Sequence, residues 1–190
     1  MAKGSQFERD FSRSLSLWWT GGERDDVFWR SQNSGGRATV RSRVGKKTSG
    51  QYGDIAATDK LGEPLLRIFT FELKRGYNAA SAGNDFDSVT GKKATLFTQF
   101  VMQAENAAKR AGSLYWALLT RRDRRGEIVT VPTASLKTTF RFAKTNYENL
   151  MRISGKLTGR DGYIDMTSMS LDNFFAYCDP SKIRELAECL

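Results

Sequence analysis

Two short segments carry residues whose types and spacing could do chemistry. YGDI contains Asp54, and FELKRG contains Glu72 and Lys74 two positions apart in a run that is typical of a strand. Side chains alternate across a strand, so Glu72 and Lys74 should share one face, while Phe71 and Leu73 point the other way. Two carboxylates brought together repel each other. Such a patch is therefore stable only with a cation nearby, either Lys74 or a metal ion.

The patch formed by Asp54, Glu72 and Lys74 could bind a metal ion through oxygen ligands. Mg²⁺ keeps several of its waters, so Asp54 and Glu72 are a sufficient protein set when a substrate phosphate completes the shell. Lys74 could then orient or deprotonate a water for attack on phosphorus. The chain contains no histidine, which excludes histidine-based triads and general bases, and its two cysteines lack CxxC spacing. Any metal should therefore be a hard cation, Mg²⁺ or Mn²⁺.

Hydrophobic periodicity predicts the elements that must position these residues. Strands predicted at residues 52–58 and 65–75 flank the turn cluster DKLGEP. We expect them to form an antiparallel hairpin that brings Asp54 close to Glu72 and Lys74. Helices are predicted at about 6–19 and 94–111, because apolar residues recur there at helical spacing and glycines follow. Further strands are predicted at 27–30, 114–121 and 127–132.

This order of elements predicts an α/β sandwich with a mixed central sheet. With 190 residues and 39% hydrophobic content, the chain can bury one sizeable core. We expect a single domain over residues 1–190, with its core at about 5–131 and a mainly helical C-terminal elaboration over 133–190. Helices are expected there near 135–142, 171–177 and 181–189, and the tryptophans Trp18, Trp19, Trp29 and Trp116 are expected in the core.

The charge of the chain indicates a polyanionic partner. Its net charge is +9 and its pI is about 9.7, which favours nucleic acid or an anionic membrane surface. No apolar run reaches the roughly 18 residues of a membrane span, and the N-terminus lacks a signal-peptide core, so we expect a soluble, cytoplasmic protein. A mobile basic loop is predicted over 31–51, and RRDRR at 121–125 is a second basic segment suited to phosphate contact. The residues expected to bind nucleic acid are Arg30, Arg37, Arg41, Arg43, Lys46, Lys47 and Arg75.

These motifs resemble the PD-(D/E)XK nuclease superfamily, whose signature is an acidic residue, a gap and then Glu-x-Lys on the adjoining strand. YGDI and FELKRG match the signature, with Gly53 where it has proline. GSQFERDF resembles the additional glutamate helix of that superfamily. WRSQNSGG resembles a loop of its Holliday-junction resolvase and phage-nuclease branches. The resemblance covers about residues 5–131 and implies a restriction-endonuclease-like three-layer sandwich, with a mixed sheet flanked by helices.

The resemblance also implies a role for each site residue. The acidic residues would hold Mg²⁺ or Mn²⁺, and the lysine would act on the attacking water. A glutamine of the following helix would contact the substrate or a water of the metal. The implied metal ligands are Asp54, Glu72 and, through its carbonyl, Leu73. The implied catalytic residues are Glu8, Asp54, Glu72, Lys74 and Gln103, with Gln99 as the alternative to Gln103.

We therefore expect a metal-dependent DNA endonuclease. The preferred subclass is a structure-selective enzyme, either a branched-DNA resolvase or a phage recombination and repair nuclease, and a homodimer is one arrangement open to it. A restriction-type endonuclease is the alternative within the same chemistry. A non-catalytic nucleic-acid-binding module that retains the fold, or a basic phage structural protein, are the alternatives from other classes.

Each site residue also has a plainer interpretation. Glu72 and Lys74 could be an exposed ion pair that contributes little to stability. The segment from Ser5 to Glu8 could be a capping box at the start of the first helix. Asp54 could be an ordinary strand-end aspartate. A solvated helix face would account for the polar stripe formed by Gln99, Gln103, Asn106 and Arg110.

Overall fold

The computed structural model describes residues 3–31, 52–76, 95–141, 150–156 and 162–190. Its strands are β1 (Phe28–Arg30), β2 (Ile55–Ala57), β3 (Phe69–Arg75), β4 (Tyr115–Arg121), β5 (Glu127–Pro132), β6 (Met151–Gly155) and β7 (Ile164–Ser170). A mixed five-stranded sheet has the order β3-β4-β5-β7-β6, and β1 and β2 form a separate antiparallel ribbon. The β3–β4 pair is parallel and the other pairs of the large sheet are antiparallel.

Helices cover both faces of this sheet. They are α1 (Lys3–Trp19), α2 (Glu63–Ile68), α3 (Leu96–Ala111), α4 (Thr133–Thr139), α5 (Leu171–Tyr177) and α6 (Pro180–Glu188). On one face α1 packs on β3, where the ring centres of Phe11 and Phe71 are 5.5 Å apart. On the other face α3 packs on β4 in a second apolar cluster that includes Val101 and Leu118. The expected α/β sandwich with a mixed central sheet is confirmed.

Helix α1 follows from the spacing of its large apolar residues. Phe7, Phe11, Leu15 and Trp19 recur every four positions and are all at most 3% exposed, so they form one continuous buried stripe. The helix ends at Trp19, and the chain turns at Gly21, whose φ is +67°. Because this stripe packs on β3, α1 also brings Glu8 to the part of the sheet that contains β3.

Helix α3 is delimited by a cap at each end. The Thr95 side chain accepts a hydrogen bond from the Thr98 backbone N–H, and Gly112 closes the helix with φ +74°. The predicted helix at 94–111 is therefore confirmed to within two residues. Phe100 belongs to its buried stripe, and the exposed Gln103, three positions further on, reaches β3 with its amide.

The predicted hairpin is wrong in its second half. Residues of α2 were expected to begin the strand, but Pro64 lies in the first turn of a helix in which Leu65 and Ile68 are both fully buried. β2 pairs with β1 instead of β3. Short apolar runs suit a helix or a strand, and here burial of both side chains three positions apart selected the helix. β3 then takes its parallel partner β4 through the α3 crossover.

The C-terminal part of the chain contributes strands as well as helices. The three helices expected after residue 133 correspond to α4, α5 and α6, but β6 and β7 were not predicted. In β7 the buried positions include Thr167 and Ser168, so apolar alternation is weak and the strand is recognisable only in its pairing with β5. These strands complete the same sheet that contains β3.

Two other expectations concern the surface. Trp29 was expected in the core but is 42% exposed on β1, whereas Trp19 and Trp116 are buried. Among the described residues, no helix is long and apolar enough to cross a membrane. Most of the predicted basic loop lies outside the described residues, and with it Arg37, Arg41, Arg43, Lys46 and Lys47.

Candidate active site

Glu72 is a buried carboxylate on the edge strand β3. Only 4% of the residue is exposed, and its Oε1 accepts hydrogen bonds from Nζ of Lys74 at 2.7 Å and from Nε2 of Gln103 at 2.6 Å. A carboxylate removed from water needs such donors, because an unpaired buried charge is strongly destabilising. The interpretation of Glu72 and Lys74 as an exposed surface pair is therefore wrong.

Lys74 is held from two sides. Its side chain is only 14% exposed, and its Nζ lies 5.5 Å from the ring centre of Phe100, within the range of a cation–π interaction. Phe100 and Gln103 thus fix Lys74 and Glu72 from one face of α3. Phe100 is a site residue that the sequence analysis missed, since its apolar type signals only that it faces the core.

Asp54 joins the site from the chain segment that enters β2. Its backbone N–H donates to the carbonyl of Phe71 at 2.8 Å, and its Oδ2 accepts from the backbone N–H of Leu73 at 2.7 Å. Ser31 holds the other side: its N–H donates to the carbonyl of Asp54 and its Oγ to the carbonyl of Gly53, both at 2.8 Å. The position of Asp54 is thus set by β3 and by the end of β1, and the role of Ser31 has no signal in the sequence.

Gly53 is required by this close approach. Its φ is +86°, and a Cβ built there would lie 2.7 Å from both the carbonyl oxygen of Phe71 and Cγ2 of Thr70. Proline, which the superfamily signature has at this position, holds φ near −65° and could not adopt this conformation. The departure from the signature is therefore a local solution for bringing Asp54 against β3.

The carboxylates of the site influence each other. The pKa of Asp54 is raised to about 7, first by burial and then by the negative charge of Glu72, with a smaller contribution from Glu8. The backbone N–H of Leu73 and the ammonium of Lys74 act in the opposite direction. A second cation at this point would relieve the repulsion that raises the pKa.

Glu8 lies on α1 and faces this group of charges. The helix begins at Lys3, so Ser5 is inside the helix and is not its N-cap. The capping-box interpretation of Ser5 and Glu8 is therefore wrong. Because the charge of Glu8 raises the pKa of Asp54, its carboxylate is near enough to contribute to the same electrostatic field.

The donor set at this edge fits a hard divalent cation. In a parallel pair, alternate residues of a strand direct their backbone groups to opposite sides, so the carbonyl of Leu73 leaves β3 on the side of Asp54, as its N–H does. Asp54, Glu72 and this carbonyl then offer three oxygens. Over the described ranges no group of three or more acidic or cysteine side chains could hold a metal. Two carboxylates completed by waters and substrate oxygens are the arrangement that suits Mg²⁺.

The remaining predicted residues divide into three sets. Arg30 lies opposite Ile55 in the β1–β2 ribbon, next to the segment that carries Asp54. The Arg75 guanidinium lies 6.0 Å from the ring centre of Phe7, on the α1 face of β3 and not on the face of Lys74. Gln99 and Gln103 are both exposed residues of α3, and the amide of Gln103 donates to Glu72. A solvated face therefore stays compatible with this stripe, although one of its glutamines also reaches the site. The five basic residues between positions 37 and 47 lie outside the described residues.

The fold and this site together define a restriction-endonuclease-like α/β protein with the elements of a PD-(D/E)XK nuclease. Over residues 1–185 the chain matches the family described as "Phage putative PDDEXK endonuclease". The chain therefore belongs to that family of phage endonucleases, which are nuclease hydrolases that generally use divalent metal ions. Comparisons with curated proteins and with solved structures gave no match.

Proposed function

We propose that this protein is a metal-dependent DNA endonuclease that hydrolyses phosphodiester bonds at the site formed by Asp54, Glu72 and Lys74. The observation that carries the proposal is the environment of Glu72. This buried carboxylate is oriented by Lys74 and Gln103, and it lies close enough to Asp54 to help raise the pKa of that residue to about 7. A pKa that is strongly raised by burial and by a neighbouring carboxylate is typical of functional sites.

Each residue has a distinct role in this proposal. Asp54, Glu72 and the carbonyl of Leu73 would hold Mg²⁺ or Mn²⁺. When bound, the ion would supply Lewis-acid polarisation of the phosphoryl group and would neutralise the charge that develops on it. Lys74 directs its ammonium protons at the attacking water or at a phosphate oxygen, and Phe100 and Gln103 keep Lys74 and Glu72 in position.

Glu8 has a supporting role in this proposal. Its negative charge adds to the field that attracts a cation to Asp54, as its effect on the pKa of Asp54 indicates. It acts through the metal shell and does not touch the reacting atoms.

DNA with a branched structure is the proposed substrate. The net charge of +9 favours the phosphate backbone, and Arg30 lies at the end of β1 that is paired with the segment carrying Asp54. Contacts to phosphate position a duplex without reading its sequence, which favours recognition of shape over recognition of a base sequence. A branched-DNA resolvase or a phage recombination and repair nuclease fits this pattern, and a restriction-type endonuclease is the alternative.

A gel assay of labelled DNA tests the proposal. Four-way junction, duplex and single-stranded DNA are incubated with Mn²⁺ or with EDTA, using the parent protein, Lys74→Ala and the control Lys109→Ala. Lys109 is an exposed lysine in the last turn of α3. We expect cleavage only with Mn²⁺, its loss in Lys74→Ala and its retention in Lys109→Ala. Preference for the junction supports the resolvase subclass, and equal cutting of linear duplex overturns it. Binding without cleavage of any of the three DNAs would instead indicate a non-catalytic module.

A further inference from the structure

The turn between β4 and β5 carries a group of arginines whose role the metal site does not explain. This group, called here the arginine turn, consists of Arg122, Arg124 and Arg125. Arg124 and Arg125 are exposed and Arg122 is half-buried. The structure shows no ion pair for any of the three within the described residues, whereas the neighbouring Arg121 is paired with Glu127 at 2.9 Å. The turn therefore presents positive charge to solvent.

Strand register places the arginine turn beside the proposed active site. β3 and β4 are parallel, so their C-terminal ends lie side by side at one end of the sheet. Lys74 lies opposite Thr120 and Arg75 opposite Arg121. The N–H of Gly76 donates to the carbonyl of Arg121 at 3.0 Å, which continues the pairing to the end of the strands. At about 3.3 Å per residue, the turn begins roughly 7 Å beyond the level of Lys74. Along the axis of B-DNA each strand carries one phosphate charge about every 3.4 Å, so a displacement of this size parallel to the axis corresponds to about two phosphates.

Arg124 has a backbone conformation that is unfavourable for its residue type. Its φ is +60°, and it is the only non-glycine residue with positive φ in the described part of the chain. The N–H of Arg125 donates to the carbonyl of Arg122 at 3.2 Å, which makes Arg124 the third residue of a β-turn. With positive φ, that position favours glycine or asparagine. An arginine here costs folding stability, a cost that a function of its side chain would explain.

We propose that the arginine turn binds phosphates of the DNA strand that is cut. These phosphates lie next to the one that is hydrolysed. The inference rests on the proposed function, because it places the DNA by reference to Lys74. The arginine turn and the proposed metal site lie at the same end of the strands. A DNA strand with one phosphate at the metal would therefore pass the turn as it leaves the site. Arginine suits this contact because its planar guanidinium donates two parallel hydrogen bonds to a phosphate.

A charge-matched pair of variants tests the proposal. The turn variant is Arg122→Gln/Arg124→Gln/Arg125→Gln. The control variant is Arg67→Gln/Lys109→Gln/Arg110→Gln, which removes the same charge at the opposite edge of the sheet. There Arg67 lies in the last turn of α2, and its carbonyl accepts a hydrogen bond of 3.0 Å from the N–H of Leu114, just before β4 begins. The control residues are exposed, and no ion pair involves them in the described ranges. Circular dichroism and thermal unfolding establish that both variants fold.

The measurement is fluorescence anisotropy of labelled duplex in EDTA at several salt concentrations. Each phosphate contact contributes about 0.9 to the slope of log K against log salt. We expect the turn variant to lose between about 1 and 3 from the magnitude of that slope and at least tenfold in affinity at 0.1 M salt. The control should keep the parental slope. Equal losses in both variants, or no loss in the turn variant, would overturn the proposal.

Cleavage kinetics in Mn²⁺ separate the two proposals. A binding surface should raise KM in the turn variant and leave the single-turnover rate at saturating DNA within about threefold of the parent. If the parent cuts no DNA, the proposed function fails, while the salt slopes still decide whether the turn binds phosphate. If the parent cuts and the turn variant keeps its KM and slope, the arginine turn is overturned and the nuclease proposal stands. Replacement of all three arginines by lysine should restore most of the slope, and failure to do so would also contradict a phosphate contact.

Discussion

Nε2 of Gln103 on α3 lies 2.6 Å from Oε1 of Glu72 on β3, the same oxygen that Nζ of Lys74 contacts at 2.7 Å. Both hydrogen bonds that the structure shows for the Glu72 side chain within the described residues reach this one oxygen. They fix the orientation of the carboxylate and leave Oε2 as the oxygen that would bind the proposed metal ion. A ligand oriented in advance binds a metal more tightly than one that must be ordered on binding.

Removal of the Gln103 amide should weaken metal binding. In Gln103→Leu the side chain keeps its approximate volume but donates no hydrogen bond, so Glu72 loses one of its two restraints. We expect Mn²⁺ affinity, measured by calorimetry, to fall about 10- to 100-fold. Asn106→Leu, an exposed position one turn further along α3, is the control. A parental Mn²⁺ affinity in Gln103→Leu would show that the amide has only a structural role.

Lys74→Met should strongly slow cleavage and preserve DNA binding. Methionine retains much of the apolar stem but removes the ammonium that contacts Glu72 and lies over Phe100. We expect the single-turnover rate in Mn²⁺ to fall about 10²-fold or more. Affinity for duplex DNA in EDTA should stay within tenfold of the parent. A variant that cuts at the parental rate would remove Lys74 from the mechanism.

Asp54 should make the stability of the metal-free protein depend on pH. Its raised pKa means that the folded chain holds this proton more tightly than the unfolded chain does. The resulting stabilisation is complete below the unfolded pKa, near 4, and is lost as pH rises through about 7. In EDTA at pH 8 we therefore expect Asp54→Asn to be more stable than the parent by about 2 to 4 kcal/mol.

Urea unfolding at pH 4 and pH 8 measures this effect. The difference between parent and Asp54→Asn should be small at pH 4, and the control Asp172→Asn, at an exposed position of α5, should show no comparable change with pH. Addition of Mn²⁺ at pH 8 should stabilise the parent and not the variant. A difference that does not change between the two pH values would contradict the raised pKa.

Gly53→Ala should displace Asp54. Alanine at φ +86° is strained, and its Cβ would lie 2.7 Å from the carbonyl oxygen of Phe71. We expect a loss of about 2 to 4 kcal/mol in the free energy of unfolding and the loss of Mn²⁺-dependent cleavage. Gly112→Ala is a matched control, since its φ is +74° but nothing lies within 4 Å of the added Cβ. The control should lose only about 1 kcal/mol and keep its activity, and equal effects of the two changes would show that the contact with β3 is unimportant.

Arg124→Gly should make the protein more stable and weaken its binding to DNA. Glycine adopts positive φ without strain, so the free energy of unfolding should rise by about 1 kcal/mol. The loss of one guanidinium should reduce the magnitude of the salt slope for duplex DNA by about 0.9. Chemical denaturation and anisotropy measure the two effects on the same sample. Unchanged binding together with higher stability would leave the arginine without a function.

The local chemistry of the site could be predicted from the sequence because it depends on residues close together in the chain. Glu72 and Lys74 are two positions apart on one strand, and their contact follows from strand geometry. The long helices α1 and α3 were also predictable, since each has a complete apolar stripe and is followed within two residues by glycine. The roles proposed for these residues in catalysis stay predictions.

The tertiary structure decided which distant segments meet. The sequence suggested that Asp54 approaches Glu72 through a hairpin, but Asp54 reaches β3 through backbone hydrogen bonds to Phe71 and Leu73, and β2 pairs with β1. Contacts between distant residues likewise decide that Gln103 reaches Glu72 and that Lys74 lies over Phe100. They also decide that β6 and β7 complete the sheet. Local pattern determines which side chains share a face. The burial of that face against distant residues determines which of them meet, because the free energy of packing is gained only when the whole chain has folded.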